Sequence, residues 1–256
     1  EKASWLDVQI AAKVGENFGS IVGPDFKRNA KGDILIDPST GLPMYDKSNH
    51  VLGNASWDWT GGVNTTLRYK NIALSAVFDI KVGADLYSMS ARASHESGKA
   101  LATLEGREAW YKSEEQRMAA GYAKGSPDWT PTGGFIAPGV IDNGDGTYRP
   151  NDVIINPEDY WMSVCRNAPS MFIYDNSYVK CREITLTYQF PKKWLGNGKV
   201  VKDVSLSFVA RNPFIVWKNI PDIDPDSNYN NTTGMGLEYG SLPSRRSYGF
   251  NVYVKF

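Results

Sequence analysis

Alternation of apolar and polar residues is the strongest pattern in this chain, and it predicts β-strands. Ile72–Lys81 is the clearest case, because one parity is entirely apolar while the other mixes small, polar and charged residues. A period of two places alternate side chains on opposite faces of a sheet. Similar segments are Leu6–Val14, Gly62–Tyr69, Glu183–Phe190, Val204–Arg211 and Arg246–Phe256. The sequence therefore predicts an all-β fold with about six strands.

The lengths of strands and connections favour a membrane barrel over a soluble sandwich. Alternation alone is equally typical of sandwich strands, whose apolar faces turn inward. Several segments approach the roughly 9–11 residues that a tilted strand needs to cross a bilayer. Short links at 70–71 and 191–203 alternate with long segments at 15–61, 82–177 and 213–245. Because barrels have short periplasmic turns and long extracellular loops, we expect a transmembrane antiparallel β-barrel. A soluble, secreted, carbohydrate-binding β-sandwich is the alternative.

Aromatic residues lie near both ends of the predicted strands. One end carries Tyr69, Tyr188, Phe190, Trp194 and Phe256, and the other carries Trp57, Trp59, Trp217 and Tyr248. Amphipathic rings prefer the depth of the lipid headgroups, so two aromatic girdles are expected. Ordinary core aromatics are the alternative for any single residue.

The long extracellular loops contain segments that predict short helices. Leu104–Tyr122 carries apolar residues among Glu, Lys and Arg, and Pro157–Val164 has a proline at the first helical position. Ordered loops of this length usually carry function. Binding by loops is therefore the expected activity of this part of the chain.

Composition narrows the class further. The 28 Lys+Arg balance the 28 Asp+Glu, and this neutrality argues against a nucleic-acid partner. Mean hydropathy is −0.40. The sequence has no apolar run long enough for a transmembrane helix, but a barrel strand exposes only alternate residues to lipid. Cys165 and Cys181 are too few for a disulfide framework, and a single surface disulfide and two unpaired thiols both stay open.

The sequence contains no recognisable catalytic or metal-binding motif. His50 and His95 belong to no such motif, and we expect both to be solvated loop residues. Glu114–Glu115 is typical of a charged helix face rather than a glycosidase pair. Asp222, Asp224 and Asp226 lack the spacing of a calcium loop. The chain is therefore expected to be no enzyme and to bind no metal or cofactor.

An ordered set of segments resembles one family of transporters. The segments are Trp57–Gly62 (WDWTGG), Leu67–Ile80, Ile173–Tyr188, Pro191–Leu195, Arg211–Asp224 and Pro243–Phe256. In this order they resemble the C-terminal portion of the SusC/RagA-like family of TonB-linked (TonB-dependent) outer-membrane transporters. The resemblance implies a barrel of about 22 strands with an N-terminal plug, in the outer membrane of a Gram-negative cell. It also implies a SusD-like lipoprotein partner and TonB-driven import of glycans or oligopeptides.

The chain departs from this family by its length. Its roughly six strands are fewer than the eight of the smallest bacterial barrels. No plug and no segment for contacting TonB is recognisable, and an open barrel edge is not viable in lipid. We therefore expect residues 1–256 to be the C-terminal part of the receptor barrel. The expected partners are the remaining barrel and plug segments, outer-membrane lipid, the lipoprotein, TonB through the missing N-terminal part, and a glycan or peptide substrate.

Three sets of residues are candidates for function. Asp79, Glu183 and Arg211 lie on the polar parity and are expected to face the lumen, as solute contacts or as a salt-bridge network. The loop set Trp217, Asn219, Asp222, Asn228 and Tyr229 combines rings with amide and carboxylate groups, as sugar binding requires, although contact with the lipoprotein is the alternative. The terminal set Tyr248, Phe250, Val252, Val254 and Phe256 looks like the signal read by the barrel-insertion machinery.

Overall fold

A computed structural model describes residues 4–5, 7–198, 200–227 and 234–256. The α-helices are α1 (Met89–Glu96), α2 (Arg107–Ala119) and α3 (Pro157–Asn167), and 3-10 helices span Leu101–Leu104, Pro169–Phe172 and Lys192–Gly198. The strands are β1 (Ser4–Trp5), β2 (Val8–Ala11), β3 (Ser20–Phe26), β4 (Tyr45–Asn54), β5 (Trp59–Tyr69), β6 (Ile72–Val82), β7 (Asp85–Ser88), β8 (Phe135–Ile136), β9 (Val140–Asp142), β10 (Tyr148–Pro150), β11 (Ile154–Ile155), β12 (Ile173–Asp175), β13 (Tyr178–Gln189), β14 (Asp203–Lys218), β15 (Leu237–Glu238) and β16 (Ser247–Lys255). Within the described ranges, no helix is long and apolar enough to cross a bilayer.

The chain divides into two compact units. The loop unit comprises residues 1–55, 86–173 and 228–240, and the sheet unit comprises residues 56–85, 174–227 and 241–256. Strands dominate the fold and helices are few. The division partly follows the predicted pattern, because most of the segments 15–61 and 82–177 belongs to the loop unit, whereas most of 213–245 belongs to the sheet unit.

The sheet unit is built on a five-stranded antiparallel sheet with the order β16-β14-β13-β6-β5. It confirms five of the six predicted strands. The turn at Lys70–Asn71 joins β5 to β6, with Tyr69 opposite Ile72. Lys70 adopts φ 52°, a left-handed conformation that lets the chain reverse within two residues.

The two faces of this sheet differ in polarity, and its register aligns the difference across all five strands. Leu67, Leu74, Leu186, Phe208 and Phe250 form one apolar row. The adjacent row on the other face is Arg68, Ala73, Thr187, Ser207 and Asn251. The apolar face is open to solvent: Leu67 is 67% exposed and Phe250 is 72% exposed. A sandwich core would bury such a row.

A β-bulge interrupts the strict alternation in β13. Cys181 lies opposite Phe78 and Glu183 lies opposite Val77, so Arg182 is an extra residue with no partner on β6. The neighbouring strand β14 is irregular at the same level, where Asn212 has φ 48°. The bulge changes the parity of β13, so Lys180 and Glu183 belong to one face although they are three positions apart in sequence.

The loop unit has its own core. A sheet of order β1-β2-β3-β4 contributes Ile21, and α3 with the 3-10 helix at 169–172 contributes Val164 and Phe172; all three side chains are fully buried. Strand β15 pairs in parallel with β7, opposite Tyr87. The buried Glu238 carboxylate of β15 accepts hydrogen bonds from Ser88 and Ser90 at the start of α1.

The prediction that Leu6–Val14 is a sixth strand beside the other five is wrong. Leu6 lies outside the described residues, and among residues 7–14 only Val8–Ala11 forms a paired strand, in the sheet of the loop unit. Val8 is fully buried there. Alternation reports that one face of a strand is apolar but carries no information on which sheet the strand joins.

The two predicted helices are present with shifted ends. The first, predicted over Leu104–Tyr122, is the shorter α2, which follows Gly106 with φ 75°; a separate 3-10 turn ends at Leu104. The second extends to Asn167, with Pro157 in its first turn and Asn156 as its N-cap. Cys165 and Cys181 are both free and buried, so the disulfide alternative is wrong.

Candidate functional site

Five charged side chains meet on the polar face of the sheet unit and form an ion-pair cluster. Asp79 comes from β6, Lys180 and Arg182 from β13, and Asp224 and Asp226 from the segment after β14. Their formal charges sum to minus one, counted as three carboxylates against two cations. The cluster attaches a connecting segment to two strands of the sheet.

Lys180 is the buried centre of the cluster, with only 1% of its surface exposed. Its Nζ lies 3.0 Å from Asp224 Oδ1 and 2.6 Å from Asp226 Oδ2. It also donates to Ser244 Oγ. All three protons of the ammonium group are thereby used, as a buried lysine requires.

Arg182, the bulged residue, links the two sides of the cluster. Its Nε and Nη2 donate to Asp79 Oδ2 at 3.1 and 2.5 Å, and its Nη1 donates to Asp226 Oδ2. Tyr178 adds a hydrogen bond from its hydroxyl to Asp226 Oδ1 at 2.8 Å. A guanidinium group suits this position because its planar fork can serve two carboxylates at once.

The two loop carboxylates are held in their ionised form. Burial opposes ionisation of Asp226, but hydrogen bonds from Arg182, Lys180 and Tyr178 outweigh it and keep the pKa of Asp226 far below its ordinary value. Burial likewise opposes ionisation of Asp224, and hydrogen bonds from Ser244, the Asp226 backbone and Lys180 lower its pKa. The cluster is therefore an ion network with its hydrogen bonds satisfied, suited to fixing the segment rather than to proton transfer.

The three residues predicted to face the lumen lie on one face but have different surroundings. Asp79 belongs to the cluster. Glu183 Oε2 and Arg211 Nε lie 3.1 Å apart in a pair whose side chains are 38% and 66% exposed. Their lumenal role stays a prediction. Of the three side chains, only that of Arg211 is mostly open to solvent.

The predicted substrate-binding set does not gather in one pocket of the described residues. Asp222 is exposed and lines a shallow pocket of about 240 Å³ with Lys180, Phe214 and Arg246. Trp217 is exposed at the end of β14, and the Asn219 amide donates to Asp175. Asn228 and Tyr229 lie outside the described residues.

Sequence reasoning missed Lys180 and Arg182, and it assigned no role to Tyr178. The bulge places both cations on the polar face, whereas strict alternation continued back from Glu183 puts them on the apolar face. A signal was present, because two cations within an apolar face would be costly and indicate a break in the alternation. Asp224 and Asp226 were weighed as calcium ligands, but they bind Lys180 and Arg182.

The two histidines have different environments. His50 Nε2 lies 3.1 Å from Asp46 Oδ2, but His50 belongs to strand β4 rather than to a loop and is only partly exposed, so the predicted loop location is wrong. His95 is only half exposed and lies against Trp161, with ring centroids 4.8 Å apart, so the prediction of a simple solvated residue is wrong. Among the described side chains, no group of three or more His, Cys, Asp or Glu residues is placed to hold a metal ion.

Comparisons with known proteins place the chain near outer-membrane transporters. No family model matches it. It is 24% identical over 235 residues to TonB-dependent receptor P3 of Formosa agariphila, an alignment covering 88% of this chain and 19% of the relative. The chain thus spans about a fifth of the length of that protein. The comparison supports the resemblance to TonB-linked transporters that the sequence motifs indicate.

The fold is similar to that of the RagAB peptide importer. The closed-closed state matches all of this chain and 25% of the solved chain, with a TM-score of 0.56 at 15% identity. The open-open state matches 97% of this chain and 25% of the solved one, with a TM-score of 0.52 at 16% identity. Together, the sequence relative and these structures confirm the resemblance to the SusC/RagA-like family.

Replacing the buried cation should damage the fold far more than replacing the exposed one. Lys180→Met leaves Asp224 and Asp226 without their main buried partner and should cost about 3–5 kcal/mol of unfolding free energy. Arg211→Met removes an exposed pair and should cost about 0–1 kcal/mol. Urea unfolding of the protein in detergent measures both. Equal losses would contradict the central role of Lys180.

Acid should release the segment that carries Asp224 and Asp226. Because the folded-state pKa values of both lie below the unfolded value near 3.9, their stabilisation is complete above that pH and is lost as the pH falls below about 4. Hydrogen exchange of the Asp226 amide, which donates to Asp224 Oδ1, should accelerate there beyond its intrinsic pH dependence. In Asp226→Asn this acid-dependent step should shrink, and an unchanged step would contradict the assignment.

Proposed function

We propose that this chain is the C-terminal part of the wall of a TonB-linked nutrient transporter in the outer membrane of a Gram-negative cell. The observation that carries the proposal is the apolar row across five strands, of which Leu67, Leu74, Leu186 and Phe250 are exposed. In water such a face is an aggregation hazard. In a bilayer it meets hydrocarbon, while the opposite face meets the wet interior.

The edges of the sheet support the same proposal. Strands β5 and β16 are the two ends of the five-strand order. A spanning sheet must close so that no edge lies in lipid. The remaining strands of a barrel of about 22, together with the plug, would come from the rest of the transporter. Coverage of 19% of the sequence relative and 25% of the solved chain fits such a division.

Import without chemistry is the activity we infer for the complete transporter. The similar solved structures are named as peptide importers, and this chain would contribute to uptake of oligopeptides or glycans. Asp79, Glu183 and Arg211 would line the lumen. Trp217, Asn219 and Asp222, with Asn228 and Tyr229, stay candidate contacts for the substrate or for a SusD-like lipoprotein. TonB would act through the plug-bearing part.

The C-terminal strand fits insertion into a membrane. In β16 and the residue after it, Tyr248, Phe250, Val252, Val254 and Phe256 alternate with other residues, and all five are exposed. Exposed aromatics also mark both strand ends, with Tyr69 and Trp194 at one and Trp59 and Trp217 at the other. The soluble sandwich alternative requires these side chains to be buried, and their exposure weighs against it.

Adjacent arginine substitutions distinguish lipid from water on the two faces. Phe250→Arg puts a charge on the proposed lipid face and should cost about 2–4 kcal/mol if the site is near the bilayer midplane. Asn251→Arg, on the opposite face of the same strand, should cost little. The measurement is urea-dependent folding of the full-length transporter into phospholipid bilayers. If both substitutions are harmless, the apolar face does not meet hydrocarbon.

Uptake by whole cells tests the proposed import. Cells that express the full-length transporter with its lipoprotein should accumulate a labelled oligosaccharide or oligopeptide. Deletion of TonB, or a protonophore, should abolish accumulation but spare surface binding, because the energy enters through TonB. Accumulation that is unaffected by loss of TonB would rule out the proposed mechanism.

A further inference from the structure

The loop unit contains a pocket of about 460 Å³ between its helices. The end of α1, one face of α2 and the start of α3 form its walls. Small-molecule sites typically enclose roughly 300–1,000 Å³, so the size suits a small ligand or one unit of a larger one. None of the candidate residues read from the sequence lines this pocket.

Rings form much of the pocket wall. Trp110 and Tyr111 project from α2, Trp161 from α3 and His95 from α1. Tyr111 is 61% exposed although it belongs to a helix of an ordered unit. The rings of Trp110 and Tyr111 offer faces for the apolar C–H surface of a ligand, whereas Trp161 is buried and packs against His95.

The pocket also presents an acceptor of defined tautomer. His95 Nδ1 lies 2.8 Å from the Ala91 carbonyl oxygen. Since a carbonyl can only accept, Nδ1 must carry the proton. With the proton of that tautomer on Nδ1, Nε2 is the ring nitrogen that can accept a hydrogen bond.

Other polar groups that line the pocket have hydrogen-bonding atoms without a partner in the described part of the chain. Arg107 uses Nη2 for Gly98 and Thr103, while its Nε and Nη1 make no such bond. The carboxylates of Glu96 and Glu158 have no hydrogen-bond partner there. Glu114, also in the wall, is bound by Arg117. The pocket therefore offers both donors and acceptors.

The charges at the pocket are balanced. With Glu114 compensated by Arg117, the remaining lining charges are Glu96 and Glu158 against Arg107 and Lys124. This balance favours a neutral ligand over an anion or a cation. Groups that both donate and accept, such as sugar hydroxyls, match such a mixed set.

An extended peptide fits this site less well. Peptides of that form are recognised mainly through backbone pairing with an exposed strand edge. The principal walls here are helices, whose backbone groups are hydrogen-bonded within each helix. At the start of α3, the backbone N–H of Glu158 donates to the Asn156 side chain. Recognition at this pocket must therefore rely on side chains and rings.

We propose that this pocket binds one unit of a neutral saccharide, stacked against the aromatic rings and hydrogen-bonded by His95, Arg107, Glu96 and Glu158. The inference rests on the proposed transport function, for which it names a substrate class. It assigns a capture site to the loop unit.

Matched substitutions test the site in the full-length transporter with its lipoprotein. Calorimetric titrations use neutral tetrasaccharides of glucose, xylose and mannose, with tetra-alanine as the peptide probe. Tyr111→Ala should weaken saccharide binding about tenfold through loss of stacking. Met118→Ala is its control, since Met118 is also 61% exposed on α2 but does not line the pocket.

A second pair of variants tests the polar contacts. Glu158 and Asp159 are both acidic residues in the first turn of α3, and only Glu158 lines the pocket. Glu158→Gln should weaken saccharide binding about tenfold, whereas Asp159→Asn should leave it unchanged. Similar losses with the control variants would mean a general disturbance of the helices and would overturn the assignment.

The remaining outcomes separate the site from the transport function. Absence of saccharide binding, or tetra-alanine binding that the same variants weaken, overturns the saccharide site even if TonB-dependent uptake is normal. Saccharide binding that is weakened only by Tyr111→Ala and Glu158→Gln supports the site, even if Phe250→Arg proves harmless. In that case the membrane proposal fails and the pocket stands.

Discussion

The bulge at Arg182 is the constraint on which the polar side of the sheet unit depends. One extra residue in β13 places Lys180, Arg182 and Glu183 on the same face. The two cations, Lys180 and Arg182, then meet three carboxylates from β6 and from the segment after β14. Without the bulge, alternate cations would project among apolar side chains, where their desolvation would not be compensated.

The antiparallel pairing of the five strands also produces an apolar face on which no second layer packs in the described residues. Antiparallel register aligns like residues into transverse rows, so small local preferences in five strands add up to one continuous surface. A water-soluble protein normally buries such a surface under another layer. The exposure of the apolar rows supports the proposal that lipid surrounds this sheet. The two end strands support the proposal that other strands complete it as a barrel wall.

The loop unit differs from the sheet unit in that its own core is buried. Phe172, Val164 and Ile21 are inaccessible, and the Glu238 carboxylate accepts hydrogen bonds from hydroxyl groups at the start of α1. Such a core allows long connections to hold a fixed pocket. The rings and unpaired polar groups of that pocket can then be presented at low entropic cost, which is why ordered loops suit recognition.

The sequence by itself determined the five strands of the sheet unit, the turn at Lys70–Asn71, the two helical regions and the resemblance to TonB-linked transporters. These features are local: a period of two, a proline at a helix start and a short reversal are readable from neighbouring residues. Tertiary structure alone decided that Val8–Ala11 joins the loop unit, that Arg182 is bulged, and that His95 and Trp161 meet in one pocket wall. Each of these depends on contacts between residues distant in sequence, whose energies alternation does not encode.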